Sequence, residues 1–288
     1  MIRSILNGPF DGADHSGSKG TKMTEVSDDS WATGAAYEAY MGRWSRLLAR
    51  AFLEWLQAKP GGHWLEVGCG TGSLTASICA LCEPTSVVAS DPSAAFIEHA
   101  RSTLSDVRTS FVTAAADTLP RRDGGFDAVI SGLVLNFIQK PDRALAAMRE
   151  RVRPGGTVAA YVWEYAGGVE FLRHFWDEAA ASDPSAAALD EARRFGPWQT
   201  STLASLFRGA GLARVETEVI DIPTDFADFD DYWKPFLGGT GPAPSYVASL
   251  DQTQCEGLRE RLRRRIPSGD DGRIQFRARA SAVRGVAI

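Results

Sequence analysis

The run Glu66-Val67-Gly68-Cys69-Gly70-Thr71-Gly72-Ser73 sets an acid two residues ahead of three glycines at alternate positions. Alternate glycines let the backbone turn sharply and leave no side chain between it and a ligand, as a nucleotide-type cofactor site requires. A second acid, Asp91, ends the apolar run Ser86-Val87-Val88-Ala89-Ser90, 25 residues after Glu66. A carboxylate at the tip of a second strand is placed to accept hydrogen bonds from the two ribose hydroxyls of an adenine nucleoside. The phase of the glycines separates two cofactors. A dinucleotide fingerprint has its third glycine three positions after the second, where this chain has Ser73, so pyrophosphate binding is disfavoured. Glu66 also suits a cationic ligand better than an anionic phosphate.

Further motifs follow in order: Asp91-Pro92-Ser93, then Gly125-Phe126-Asp127-Ala128-Val129-Ile130-Ser131, then Arg153-Pro154-Gly155-Gly156. Together with the glycine run they resemble the ordered motifs of class I S-adenosylmethionine-dependent methyltransferases, nearest to the small-molecule branch that includes the ubiquinone and menaquinone biosynthesis methyltransferases. The likeness covers residues 35–165 and is only general beyond them. It implies S-adenosyl-L-methionine as cofactor. Gly68, Gly70 and Gly72 would turn beneath its methionine part, with Glu66 directed to the amino group, directly or through water. Asp91 would take the ribose hydroxyls, although it could instead cap the following helix, a task open to Ser93 as well. Pro92 would pack on the adenine, and Ser131 joins the cofactor-binding set.

The chain departs from the family pattern at the third strand. Where an acid usually reaches the adenine amino group, the run Ala114-Ala115-Ala116-Asp117-Thr118-Leu119-Pro120 has Ala115. Backbone atoms at Ala116, helped by Asp117, are the expected substitute. After the fourth strand, Asn136 stands nearest to a position where resembling enzymes often carry a histidine facing the acceptor. An amide can orient a carbonyl or hydroxyl but cannot act as a base. His174 and Glu164, both beyond the fifth strand, are the candidate bases or polar anchors, with packing or surface placement as the plainer reading of His174. Asp127 reads as structural.

These residues need a scaffold. Apolar runs and turn residues predict strands at 63–68, 86–91, 109–113, 126–132 and 157–163, with helices at 72–82, 93–104 and 141–152. That alternation is an α/β, Rossmann-like doubly wound parallel sheet with ligands beyond the carboxyl ends of its strands. A helix at 201–210, a strand at 213–221 and a last strand near 273–284 complete seven strands, the last antiparallel by resemblance. From residue 36 to 58, Tyr40, Trp44, Leu47, Leu48, Ala51, Phe52 and Leu56 recur at helical spacing. In resembling enzymes such a helix folds over the site as a lid, which makes Tyr40 and Arg43 candidates for closing it. A helical cap insertion at 224–270 lies between the last two strands. Its aromatic residues, with Phe171, Phe175 and Trp176, either cover an apolar ligand pocket or pack a core. Residues 1–30, poor in apolar side chains, are expected to be a disordered tail, with either Met1 or Met23 as the natural start. Residues 31–288 form a single methyltransferase domain.

The 288 residues are 44% hydrophobic with a formal net charge of -5. An acidic balance argues against nucleic acid as a partner, and the run Arg261-Leu262-Arg263-Arg264-Arg265 reads as a solvated helix end. No stretch approaches the ~20 apolar residues of a membrane span, and the N-terminus lacks a secretory apolar core. Cys79-x-x-Cys82 has no second ligand pair for zinc and reads as core packing, so no metal is expected. A cytoplasmic monomer or homodimer acting on a small-molecule acceptor is the expectation. A cofactor-binding module without activity, and a nicotinamide-dependent oxidoreductase, are the alternatives; the glycine phase opposes the second.

Overall fold

A computed structural model describes residues 37–239 and 241–288; the expected tail at 1–30 and both candidate starts lie outside them. The chain enters through a π-turn at Glu38–Gly42 and continues as α1, Arg43–Leu56. Its buried face repeats every three to four residues through Trp44, Leu48, Phe52 and Leu56, the stripe that a helix on a sheet must present. The elements then follow as β1 (His63–Val67), α2 (Ser73–Leu81), β2 (Ser86–Asp91), α3 (Ala94–Thr103), β3 (Thr109–Thr113), β4 (Phe126–Gly132), α4 (Pro141–Arg151) and β5 (Val152–Trp163). Beyond these lie α5 (Glu170–Ser182), α6 (Glu191–Phe195), α7 (Thr200–Gly209), β6 (Ala213–Phe226), α8 (Phe229–Trp233), α9 (Pro242–Ser249), α10 (Gln252–Arg265) and β7 (Ile274–Val286).

The seven strands form one sheet in the order β3-β2-β1-β4-β5-β7-β6. β7 runs antiparallel to both β5 and β6, and the other adjacent pairs are parallel. This is the doubly wound architecture expected from the sequence, last strand included. The chain winds outward from β1 to β3 and returns to β4 on the other side of β1, so the switch point lies between β1 and β4. A crevice at the carboxyl ends of these strands is where such sheets bind ligands.

Two strands exceed their predicted bounds. β5 begins at Val152, where Phe126 pairs it before a register shift leads to Ala128 opposite Thr157. β6 runs on to Phe226, paired residue for residue with β7 down to Ile274. In this extension Ile220, Ile222, Thr224 and Phe226 are buried on one face while the residues between them are exposed, a period of two that sequence hydropathy shows only weakly.

The aromatic run of the insertion forms a short helix and then a turn that ends at Gly239. Asp228 accepts from the Asp231 amide (2.8 Å) to start α8, a 3-10 turn follows at Lys234–Gly238, and Gly239 is left-handed at φ 67°. Phe175 stacks on Phe236 with centroids 4.5 Å apart, Phe226 meets Tyr232 edge-on at 5.3 Å, and Tyr232 Oη donates to the Phe171 carbonyl (3.0 Å). Phe171, Phe175, Trp176, Tyr232 and Phe236 are all buried. Of the two readings of these aromatics, core packing is the one the structure bears out. The basic run is likewise more than a solvated helix end: Arg265 pairs with Asp177 and Glu178 of α5, both at 2.9 Å, tying α10 to it. Cys79 and Cys82 are buried in the core between α1 and the sheet.

Truncating a ring in such a cluster removes its contacts and leaves a cavity. Phe175→Ala is expected to lower unfolding free energy by about 3–5 kcal/mol, read from urea denaturation; a loss below about 1 kcal/mol would place the ring in a loosely packed lining instead.

Candidate active site at the switch point

A cavity of about 680 Å³ opens at the carboxyl ends of β1, β2, β4 and β5, within the range of small-molecule and cofactor sites. Its floor is the glycine turn. Gly68, Gly70 and Gly72 have φ of 77°, 51° and 88°, a region that side-chain-bearing residues enter only at a cost. A Cβ on Gly68 would lie 2.4 Å from Val134 Cγ2, so the turn and the loop after β4 are packed as closely as a bare backbone allows. The Gly68 and Cys69 amides donate to the Ser90 carbonyl (2.7 and 2.9 Å), and the Ser131 hydroxyl donates to the Val67 carbonyl (2.9 Å). Gly72 stands at the start of α2 rather than in the cavity wall.

Asp91 is 7% exposed. Its Oδ2 accepts from the Gly70 amide (3.0 Å) and its Oδ1 from the Ser93 amide (2.8 Å), while Ser93, not Asp91, caps α3 through the Phe96 amide. Burial raises the Asp91 pKa above the ordinary carboxylate range, against the pull of the two amides. Glu66 is buried beneath the turn and accepts from Thr75 Oγ1 at 2.6 Å. Burial pushes its carboxyl up to about 7; the Thr75 hydroxyl opposes the rise and the Asp91 charge adds to it. Two acids at the base of one apolar cavity lower the cost of bringing a cation there.

The opposite wall is aromatic. Tyr161 and Trp163 point into the cavity from alternate positions of β5, and Tyr37 and Tyr40 descend from the π-turn ahead of α1. Leu133, just past β4, has a left-handed backbone at φ 61° held by its amide's bond to the Tyr161 carbonyl (2.8 Å). A non-glycine residue in this region carries about 1–3 kcal/mol of strain, which is found most often at ligand sites. Glu191, the first residue of α6, completes the lining.

Of the residues singled out from the sequence, the structure brings together Tyr40, Glu66, Gly68, Gly70, Asp91 and Pro92 around this cavity. Others are placed elsewhere. Arg43 turns away into an ion pair with Asp231 (3.1 Å) and lies over the Trp44 and Phe226 rings at 4.2 and 4.7 Å; it fastens the lid helix to the insertion. Ser131 is committed to the Val67 carbonyl. Ala116 packs on the second hydrophobic cluster and Asp117 is exposed, neither lining the cavity.

The three catalytic candidates also lie outside the lining. His174 stacks on Phe276 with centroids 4.8 Å apart, and burial, helped by Arg265, lowers its pKa. Glu164 accepts from Ser281 Oγ (2.5 Å) and faces a separate polar groove with Asp221, Arg277 and Arg279. Asn136 is buried within the 3-10 turn Leu135–Phe137 of the loop after β4. The sequence reading missed Tyr161, Trp163 and Glu191. β5 is buried without alternation from Val158 to Trp163, so no polar–apolar pattern marks the face that Tyr161 and Trp163 share, and Glu191 carries no signal either.

A doubly wound sheet, an acid ending β2, and a glycine turn in the wrong phase for pyrophosphate define the cofactor site of a methyltransferase. A methyltransferase domain model matches residues 65–160. The ubiquinone/menaquinone biosynthesis C-methyltransferase of Burkholderia mallei is 32% identical over 171 residues, 55% of this chain and 70% of that protein. An uncharacterized 37.1 kDa protein in a transposon of Streptomyces fradiae is 32% identical over 114 residues, and the match spans 39% of this chain and 33% of that protein. Among solved structures, phosphoethanolamine N-methyltransferase 2 of Haemonchus contortus, in complex with S-adenosylhomocysteine, has the same fold with a TM-score of 0.56 at 16% identity, over 90% of this chain and 58% of that one. The chain belongs to the class I S-adenosylmethionine-dependent methyltransferases. Its cofactor is S-adenosylmethionine, not a nicotinamide dinucleotide. The site's own chemistry fits a cofactor bearing a sulfonium and an ammonium, because the charged side chains lining the cavity among the described residues are Glu66, Asp91 and Glu191 alone. No helix among the described residues is long and apolar enough to cross a membrane.

An unfolded glutamate titrates near 4.5 and the folded Glu66 near 7. Stability linked to this group is therefore fully present below about pH 4.5 and is lost as the pH rises towards about 7. Glu66→Gln is expected to reduce the fall in urea midpoint of the cofactor-free protein between about pH 5 and about pH 8; an unchanged fall would show that Glu66 is ionised across that range.

Proposed function

We propose that residues 31–288 act as one methyltransferase unit, capped by 224–270, that passes the methyl group to a small acceptor with an apolar or aromatic body by in-line displacement. The observation that carries this reading is the single cavity running from the glycine turn and Asp91 to the aromatic wall at Tyr161 and Trp163. One end is acidic and bounded by bare backbone; the other is mainly aromatic, with Glu191 the charged residue in its lining. The name of the Burkholderia relative, a C-methyltransferase of quinone biosynthesis, also speaks for a small acceptor.

When bound, S-adenosylmethionine supplies a methyl already attached to a good leaving group, so neither a metal nor a covalent nucleophile is required. The protein's work is to place and to desolvate. Asp91 has lone pairs beyond those taken by the Gly70 and Ser93 amides, and these would receive the ribose hydroxyls. Glu66 would balance the amino group across the turn, and Pro92 would pack against the adenine. Tyr161 and Trp163 would fix the acceptor in line. Holding reactants near contact distance contributes several kcal/mol to such a transfer, and an apolar wall suits a step in which the sulfur loses its positive charge.

Isothermal titration tests the cofactor end. S-adenosylmethionine and S-adenosylhomocysteine should bind and NAD should not. Asp91→Ala should weaken binding of both by about 1–3 kcal/mol through loss of charge-assisted hydrogen bonds. Unchanged affinity in that variant would remove Asp91 from the site.

A further inference from the structure

The acceptor end of the cavity contains one ionisable group for which the cofactor roles have no use. Glu191 is 4% exposed, sits at the start of α6 and lines the same cavity as the glycine turn. Its position is fixed from behind. Asp190, the residue before it, caps α6 through the Ala192 amide (3.0 Å) and is held by both guanidinium nitrogens of Arg173 (3.1 and 2.8 Å). Trp176 Nε1 donates to Glu191 Oε2 at 2.5 Å. The Tyr40 hydroxyl lies close enough for the Glu191 charge to raise its pKa, after burial itself. That hydroxyl is buried in a residue 3% exposed and has no hydrogen-bond partner among the described residues. A buried hydroxyl without a partner costs free energy, and a ligand group that reached it from the cavity lined by Tyr40 would complete the bond.

The charges around this end select the ligand. Among the described residues no Lys, Arg or His lines the cavity. Arg194 is outside the lining, its guanidinium over the Phe195 ring at 5.1 Å. An acceptor that must become an anion before attack, such as a hydroxyl group, would meet three carboxylates in the lining, while the cation whose charge reaches Glu191 and lowers its pKa, Arg194, stands outside it. An amine enters as a cation and attacks as a neutral molecule, and the rings of Tyr40 and Tyr165 in the lining near Glu191 favour a cation over water-like polar groups.

We propose that the acceptor is a small amine on an apolar body, and that Glu191 is the catalytic residue that binds its ammonium and receives its proton, with Tyr40 Oη as the second contact. This rests on reading the cavity as a joint cofactor and acceptor site. The ammonium gives one proton to the Glu191 carboxylate. The freed nitrogen lone pair forms the bond to the methyl carbon while the carbon–sulfur bond breaks and its electron pair stays on sulfur. The product is a methylated ammonium, a neutral thioether and a protonated Glu191, which returns its proton to solvent after release. Burial pushes the Glu191 carboxyl up to about 7, opposed chiefly by hydrogen bonding, including the Trp176 N–H, so the group can both hold and release a proton near neutral pH.

The test uses the full chain saturated with S-adenosylhomocysteine and three probes with one phenylalkyl body: phenethylamine, 2-phenylethanol and phenylacetate. Titration calorimetry should show the amine binding at least about 10-fold more tightly than the alcohol, as a charge-assisted hydrogen bond provides, with the carboxylate weakest. Glu191→Gln should bring the amine to within about threefold of the alcohol while S-adenosylhomocysteine affinity stays at the wild-type value. If thermal melts show that Glu191→Gln does not fold, Tyr40→Phe carries the same comparison and should reduce the amine's advantage. Equal, weaker or undetectable binding of the amine, or an advantage that survives in the folded variant, overturns the proposal. Failure of the wild-type chain to bind S-adenosylhomocysteine would instead overturn the cofactor reading beneath it, and the acceptor assignment with it.

Discussion

The bond from the Gly70 amide to Asp91 joins the turn after β1 to the tip of β2, and the cavity depends on it. Gly70 makes this bond from a left-handed backbone at φ 51°, a conformation that glycine adopts without the usual cost. The same turn places the Gly68 and Cys69 amides on the Ser90 carbonyl and brings Gly68 against Val134. β1, β2 and the loop after β4 are thereby held together at the switch point. A side chain at Gly68 would push that loop away and with it Leu133, whose strained backbone is tied to β5. The position of the aromatic wall thus follows from the geometry of the glycine turn.

The electrostatics follow from the same packing. Three carboxylates in an apolar lining are costly when ionised, because burial disfavours the charged form. The protein meets part of that cost internally: Thr75 on Glu66, two amides on Asp91, and Trp176 on Glu191. What remains is the raised pKa of each acid. A cationic ligand relieves this cost, and perturbed groups of this kind gather at functional sites. Binding selectivity and the raised pKa values of the three acids thus have one source.

The sheet was legible in the sequence because its inner strands are buried on both faces and read as apolar runs between turn residues. β2, β3 and β4 match their predicted bounds. The cofactor floor was legible for a different reason: it depends on left-handed backbone conformations that glycine adopts at little cost, as at Gly68 and Gly70. What sequence did not show depends on distant partners. Arg43 looked free to close the site, yet its partner Asp231 lies 188 residues away. His174 has the chemistry of a base and lies beside Phe276, turned from the cavity. The aromatics of the insertion have the composition of a ligand cover and pack instead on one another and on α5. Glu191 belongs to no motif, and its role becomes visible only when α6 is folded against Tyr40.

The central claim is that the turn at Gly68–Gly70 and the carboxylate of Asp91 form the cofactor floor. The most direct measurement is a crystal structure of the chain grown with S-adenosylhomocysteine. Both ribose hydroxyls within hydrogen-bond distance of the Asp91 carboxylate, with the amino acid part over the glycine turn and its amine towards Glu66, is the result expected. A ligand bound with its ribose away from Asp91, or lodged in the polar groove beside Glu164, would contradict the account.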